Sequence, residues 1–462
     1  MRGVARALSH RTEIGAGQRR HGGGETLASA QIGDGRGLGA QSLGERPQRR
    51  RIDVHRRRRL RLVSLDHESP FPPDRQVAVS ITKSAVHDRR PRQRIPQPPQ
   101  PRSGPPQGFR RTWSGRARYV VGVASARTMP SRGQRGRLMR AAQVSKLEGP
   151  EAVEIVDIPE PASYPGGVVI DVHAAGVAFP DVLMTRGLYQ MKPELPFVVG
   201  GEVSGIVREA PQDAHVRAGD RVVALTLLGN AMAETAVVPA AMVFRLPDNV
   251  SLEAGAGILF NDLTVHFCLR NRGRLAAGET VLVHGAAGGI GTSTLRMAAA
   301  LGAGRVIAVV STEAKAEVAR ANGATDVVLT DGWLAAVKEL TGGRGVDIVL
   351  DPVGGERFTD SIRSLASAGR LLVVGFTAGE IPTVKVNRLL LKNVEVVGAA
   401  WGEWVMSHPG YLQEQWAEVE PLLASGKIAP PETALYPLDQ AAEAIASLDN
   451  RTATGKVVVT LR

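Results

Sequence analysis

The stretch Val281–Leu295, VLVHGAAGGIGTSTL, restricts the possible folds of this chain more than any other. Of the seven residues Gly285–Gly291, four are glycine and two are alanine. Glycine loses more backbone freedom on folding than any other residue, so such a run is costly unless bare backbone is needed there. An apolar run, VLVH, precedes the turn, and a helical pattern, GTSTLRMAAALG, follows it. Strand, bare turn and helix start, in that order, present unpaired N–H groups and partial positive charge to an anion. In the phase of the G-x-G-x-x-G fingerprint the turn reads Ala286-x-Gly288-x-x-Gly291, with alanine in the first place. The expected guest is the pyrophosphate of a dinucleotide.

The surrounding pattern supplies the context this motif needs. Residues 139–260 read as short strands cut by glycine and proline, such as EAVEIVDIP, GGVVIDVHAAGV, VSGIVREA and GDRVVAL, which predicts a small barrel-like β domain. Over 261–400 short apolar runs alternate with helical segments: TVLVHG, RVIAVVS, TDVVLT, VDIVLD, GRLLVVGF and NVEVVGAA. Runs of this kind predict six parallel strands buried on both faces, in a doubly wound α/β fold. Residues 401–462 are helical again and end in GKVVVTLR, a strand expected to return to the first domain.

Residues 1–138 are chemically different. They hold 29 Arg and one Lys against nine acidic residues, a net of +21, whereas the remainder carries a net of −9. Segments such as RPQRRRIDVHRRRRLRL lack apolar periodicity, so disorder is expected. A basic arm for nucleic acid or membrane, and a transit peptide, are two readings. The arginine bias favours a third, in which these residues precede the true start and Met139 (MRAAQV) opens the native protein. Nucleic acid is not the expected partner of the folded part. Cys268 is the only cysteine, which suits a reducing cytoplasm. No apolar run reaches the roughly 18 residues of a membrane span.

Which dinucleotide binds depends on the end of the second parallel strand, VIAVVSTEAK. An acidic residue there would bind the ribose 2′-hydroxyl of NAD. The strand ends instead in Ser311, with Lys315 four positions on, and a hydroxyl plus a cation suits a 2′-phosphate. NADPH is therefore the expected cofactor, with Glu313 as the competing ribose acid and a solvated helix start as the reading without a ligand.

These motifs resemble the zinc-independent quinone oxidoreductases of the medium-chain dehydrogenase/reductase family, the group containing zeta-crystallin. The carriers are GVAFPDVLMTRGLYQ (Gly176–Gln190), LPFVVGGEVSGIV (Leu195–Val207), NDLTVHF (Asn261–Phe267), GAAGGIG, DPVGG (Asp351–Gly355) and VVGFTAGEIP (Val373–Pro382). The resemblance covers 139–462 and implies a GroES-like catalytic domain, split in sequence, beside a Rossmann domain. It places Thr264, Val353 and Phe376 near the nicotinamide, and Gly288, Gly289 and Ile290 at the pyrophosphate. Ser311 and Lys315 match positions near the 2′-phosphate, and Asn387 and Lys456 are further cofactor carry-overs. It also implies a homodimer joined through the strand at Asn393–Ala400. Ala178 replaces an Asn common among relatives and Leu183 an aromatic residue, so a more apolar substrate pocket is expected.

Other branches of that family use a catalytic zinc, which needs three protein ligands and an open position. The first-ligand cysteine would fall in GVAFPD, and the zinc-type GHE reads Gly200-Gly201-Glu202, so no metal is expected. Without a Lewis acid the favoured acceptors are quinones and α,β-unsaturated carbonyl compounds, which delocalise an added hydride. Tyr189 is the expected polar group facing the substrate, unless it only packs in the cleft wall, and Thr264 joins it as a candidate catalytic residue. Asp181 and Arg186 are expected to form an ion pair bracing their loop, and His284 to hydrogen-bond structurally. Trp401–Trp404 walls the pocket or packs at the domain junction. The alternatives are an enoyl-thioester reductase and a non-catalytic binder of NADPH or nucleic acid.

Overall fold

The computed structural model describes residues 137–226 and 229–462. The basic segment, up to residue 136, lies outside the described residues, and so does the disorder expected of it.

The first half is antiparallel and strand-rich. Its strands are β1 (Leu138–Val144), β2 (Val153–Pro159), β3 (Gly167–Gly176), β4 (Phe197–Val198), β5 (Glu202–Glu209), β6 (Arg221–Leu225), β7 (Thr235–Pro239) and β8 (Val243–Arg245). β2, β1 and β4 form one small sheet, while β3, β5, β6 and β8 are successive neighbours in a larger one, with β7 also on β3. Alternating residues such as Val168, Ile170 and Val172 point from β3 into a core shared with Val203, Val222 and Val457. Residues of the opposite face are covered as well: Ala174 packs with Ala256 and Val458, so the period-two alternation divides the strand between two packed faces.

The second half is a parallel sheet. β9 (Thr280–His284), β10 (Arg305–Val310), β11 (Asp326–Leu329), β12 (Val346–Asp351), β13 (Leu365–Val373) and β14 (Glu395–Gly398) lie in the order β11-β10-β9-β12-β13-β14. Both faces are covered. Val281 and Val283 of β9 enter one cluster, and Leu282 between them enters another with Ile307, Val349 and Trp333. This explains why these strands read as continuous apolar runs. The strand order reverses between β9 and β12, and ligands of such sheets sit at the carboxyl ends of the strands flanking that reversal.

Two features bind the halves together. β16 (Lys456–Thr460) pairs antiparallel with β3, and β15 (Thr433–Pro437) pairs parallel with β16, so the chain's end completes the first sheet. The cluster containing Val281 and Leu295 also contains Val223, Leu225 and Phe244, so apolar burial continues from one half into the other.

Five helices carry or brace the residues of the site: α1 (Phe179–Thr185), α2 (Leu252–Gly255), α3 (Leu259–His266), α4 (Gly289–Ala300) and α5 (Glu313–Ala321). α3 and α4 are joined by a buried ion pair, Arg296 Nη2 to Asp262 Oδ1 at 2.7 Å. Arg296 also donates to the Ala429 carbonyl, which ties both helices to the C-terminal segment.

Candidate active site

The glycine turn connects β9 to α4 at the point where the strand order reverses. Its three fingerprint-region glycines are bare for different reasons. A Cβ on Gly291 would lie 2.3 Å from the Gly285 carbonyl oxygen and 2.5 Å from Ala286, so the helix could not approach the strand. A Cβ on Gly289 would meet the Asn261 side chain of α3 at 2.3 Å. Gly288 differs. Its backbone is extended (φ −88°), and the nearest atom to an added Cβ stands 3.5 Å away, an ordinary contact. Among the described residues nothing requires Gly288 to be bare, and a methyl there would fill open space. Ile290 beside it is half-buried against the core.

Two further loops close around this turn. Asp351, at the end of β12, accepts from the Val353 and Gly354 N–H groups, each at 2.9 Å, and so fixes the turn that carries Val353. The Val353 side chain lies 3.2 Å from where a Gly285 Cβ would stand. Phe376 packs on Gly354, while Thr377 and Ala378 N–H donate to the Pro352 and Val353 carbonyls. Val353, Phe376 and the glycine turn are thus brought together. Thr264 is buried on α3, and its hydroxyl donates to the Phe260 carbonyl at 2.6 Å.

At the end of β10, Ser311 is exposed and Thr312 caps α5 by accepting from Lys315 N–H. Glu313 is paired along its own helix with Arg320 at 2.8 Å. Lys315 Nζ donates to the Arg451 carbonyl at 2.8 Å, so the cation lies where the nucleotide half meets the C-terminal segment. Arg451, which the sequence did not single out, also donates to the Thr377 carbonyl. Asn387 is exposed at the first position of the helix Asn387–Lys392. Lys456 is the opposite case: it is 2% exposed, and its ammonium lies 2.5 Å from Glu202 Oε1.

That ion pair backs a recess lined by Ala178, Pro180, Asp181, Met184, Tyr189, Glu202 and Phe260, with two glycines. Only Asp181, Tyr189 and Glu202 among these carry polar side chains. Glu202 is 1% exposed; burial pushes its carboxyl above the usual range, against the pull of the Lys456 ammonium, and its second oxygen accepts from Phe260 N–H at 2.8 Å. Asp181 is 2% exposed, and its Oδ2 accepts from Ala178 N–H at 2.8 Å, closing the first turn of α1. Removal from water pushes the Asp181 carboxyl up to about 7, Glu202 adds to the effect, and Lys456 and the backbone donors oppose it. Tyr189 is half-buried, and its phenol is pushed up by burial and by Asp181.

The expected ion pair within the loop is corrected by these contacts. Arg186 pairs with Asp449 at 2.5 Å, on the helix Ala441–Asp449, while Asp181 turns inward. The two have different partners because Asp181 lies in the first turn of α1, whereas Arg186 follows its end. His284 is fully buried, and its Nε2 lies 2.8 Å from Ser361 Oγ. Burial pushes its imidazole down to about 3, so it is neutral. Trp401 packs edge-to-face on Phe260, with ring centroids 5.8 Å apart, and donates to Gln415, so it supports the recess from behind.

The recess does not fit a zinc ion. Ala178 and Gly201 offer no donor, and the carboxylate of Glu202 is already held by an ammonium of the chain itself. Among the described residues no three His, Cys, Asp or Glu side chains come close enough to share a metal.

The comparisons with known proteins agree with this architecture. Residues 164–248 match the family model described as alcohol dehydrogenase GroES-like domain, and 289–425 match zinc-binding dehydrogenase. Quinone oxidoreductase-like protein 2 of Rattus norvegicus is 37% identical over 329 residues, which are 71% of this chain and 93% of that protein. A solved quinone oxidoreductase of Pseudomonas syringae is 33% identical with a TM-score of 0.64, covering 70% of this chain and all of that one. Escherichia coli quinone oxidoreductase, solved in complex with NADPH, is 29% identical with a TM-score of 0.63, again covering 70% of this chain and all of that one. With a Rossmann sheet, a GroES-like domain and these relatives, the chain belongs to the quinone oxidoreductases of the medium-chain dehydrogenase/reductase family.

Proposed function

We propose that the protein is an NADPH-dependent, metal-free reductase of quinones or α,β-unsaturated carbonyl compounds. One observation carries the reading: the glycine turn and the recess meet on consecutive residues of α3. Phe260 lines the recess and binds Glu202 through its N–H, while Asn261 packs on Gly289 of the turn. A dinucleotide seated on the turn therefore has its reactive ring directed at the recess.

When bound, NADPH supplies a hydride. The protein's own part is to seat the pyrophosphate on the backbone around Gly288 and α4, where donors and helix polarity face the anion. Lys315 and Ser311 lie at the 2′-phosphate end. Val353, Phe376 and Thr264 confine the ring, and orientation at close range supplies much of the acceleration. In the recess, Tyr189 donates to the acceptor oxygen as negative charge develops there. Lys456 neutralises Glu202 from within the fold, which leaves the recess without an open carboxylate pair for a divalent cation.

The homodimer rests on β14, the edge strand of the parallel sheet. Just before it in the chain, Val386, Leu390 and Leu391 are 71%, 75% and 79% exposed, apolar surface that a second copy would cover. Replacement of Leu390 and Leu391 by Asp is expected to yield a monomer in sedimentation. A cytoplasmic setting suits the single buried thiol, Cys268.

The test is NADPH oxidation by the full chain, stripped with a chelator, against small quinones, enones and an enoyl thioester. Turnover with a quinone or enone, undiminished by the chelator, is the expected result. Binding of NADPH without turnover on any of them overturns the reading, and a thioester that outperforms every free enone redirects it to acyl substrates.

A further inference from the structure

The recess holds three polar side chains, and only two can exchange a proton with a substrate. Glu202 is committed to Lys456 at 2.5 Å and to Phe260 N–H at 2.8 Å. Tyr189 and Asp181 remain. Tyr189 is pushed above the ordinary phenol range, so it keeps its proton and can hold an oxygen by donating a hydrogen bond, but gives that proton up poorly. Asp181 is almost fully buried on the wall of the same recess.

We propose that the Asp181 carboxyl is the proton source that completes the reduction, with Tyr189 holding the acceptor oxygen. The inference rests on the reductase reading above. For an enone, the hydride brings two electrons to the β-carbon and the C=C bond gives an enolate. The O–H bond of Asp181 then breaks, a C–H bond forms at the α-carbon, and the resulting carboxylate recovers its proton from water. No further oxidant or reductant is needed.

The groups facing Asp181 support this assignment. From β5 comes Glu202, whose charge favours a protonated neighbour; from β16 comes Lys456, which opposes it; and Tyr189 follows α1 in the chain. Burial outweighs the rest and leaves the carboxyl half-protonated at about pH 7, where a general acid is most effective. A purely structural role is the competing account, because Asp181 Oδ2 also caps α1 through Ala178 N–H. Asn keeps that acceptor and loses the proton, so Asp181→Asn separates the two accounts.

The experiment is the pH profile of kcat with NADPH and a small enone, for the full chain, Asp181→Asn and Tyr189→Phe. The wild type is expected to lose activity as pH rises through about 7. Asp181→Asn is expected to be slower by about 100-fold at pH 6 and flat to pH 8, with unchanged NADPH affinity. Tyr189→Phe is expected to lower kcat at every pH and keep the shape of the wild-type profile. An Asp181→Asn variant with the wild-type limb, or with wild-type rates, overturns the proposal and leaves the reductase reading intact. A wild type inactive on every acceptor overturns both. Should Asp181→Asn not fold, the infrared band of the buried protonated carboxyl in the wild type is followed instead. It must disappear with the same midpoint as kcat, and a midpoint elsewhere rejects the assignment.

Discussion

The glycine turn and the recess share a helix, yet they are built by opposite means. The turn consists of contiguous backbone from which side chains have been removed, and its donors are N–H groups that no substitution short of proline can delete. The recess draws side chains from separated segments, Asp181 and Tyr189 in and after α1, Glu202 on β5 and Phe260 on α3, and is backed by Lys456 on β16. Its working groups are buried and ionisable, so each depends on the others for its charge state. The turn tolerates change only where nothing touches it; the recess tolerates change only where a partner changes too.

The largest expected effect breaks the recess. Lys456→Met strands the buried Glu202 carboxylate and should lower unfolding stability by about 3–5 kcal/mol, measured by denaturant titration. Adding Glu202→Gln should recover most of that loss, which a defect in packing alone would not show.

Next in size is a pH effect. The folded carboxyl of Asp181 lies at about 7 against an ordinary 3.8, so the folded state binds the proton more tightly than the unfolded one. Its contribution is fully present below pH 4 and is lost as pH rises towards 7. Wild-type stability should therefore fall across that window relative to Asp181→Asn, with the two curves diverging most steeply between pH 4 and 7.

In the turn, two neighbouring substitutions should behave unlike each other. Gly291→Ala forces the Gly285 carbonyl away and should cost about 1–3 kcal/mol of stability. Gly288→Ala meets no protein atom closer than 3.5 Å and should leave stability within about 0.5 kcal/mol. Its NADPH affinity should nevertheless fall at least about tenfold, by calorimetric titration. Equal stability losses in the two variants would show that Gly288 serves packing after all.

The smallest effect sharpens the cofactor assignment. Lys315→Ala should weaken NADPH about tenfold and leave NADH nearly unchanged. A parallel loss for both nucleotides would place the cation on the shared part of the molecule, or on the Arg451 contact alone.

Much of the nucleotide half was legible in the chain because its signals are local. A strand buried on both faces reads as an apolar run, and a turn that must be bare reads as glycine, so β9, the turn and α4 could be placed from consecutive residues. The six parallel strands follow from the same logic. The sequence also showed Asp181 and Arg186 side by side and suggested that they pair. Their actual partners, 263 residues apart in one case, depend on where the C-terminal helix packs.

By itself, then, the sequence determined the dinucleotide fold, the bare glycine turn between β9 and α4, and the family to which the chain belongs. Each is written in residues close together along the chain, where backbone geometry and periodicity act. Only the tertiary structure decided that Lys456, 254 positions from Glu202, crosses the fold to neutralise it, and that Asp181 faces inward. The reason is desolvation: the protonation state of a buried group is set by what surrounds it in space, and chain order carries no record of those neighbours.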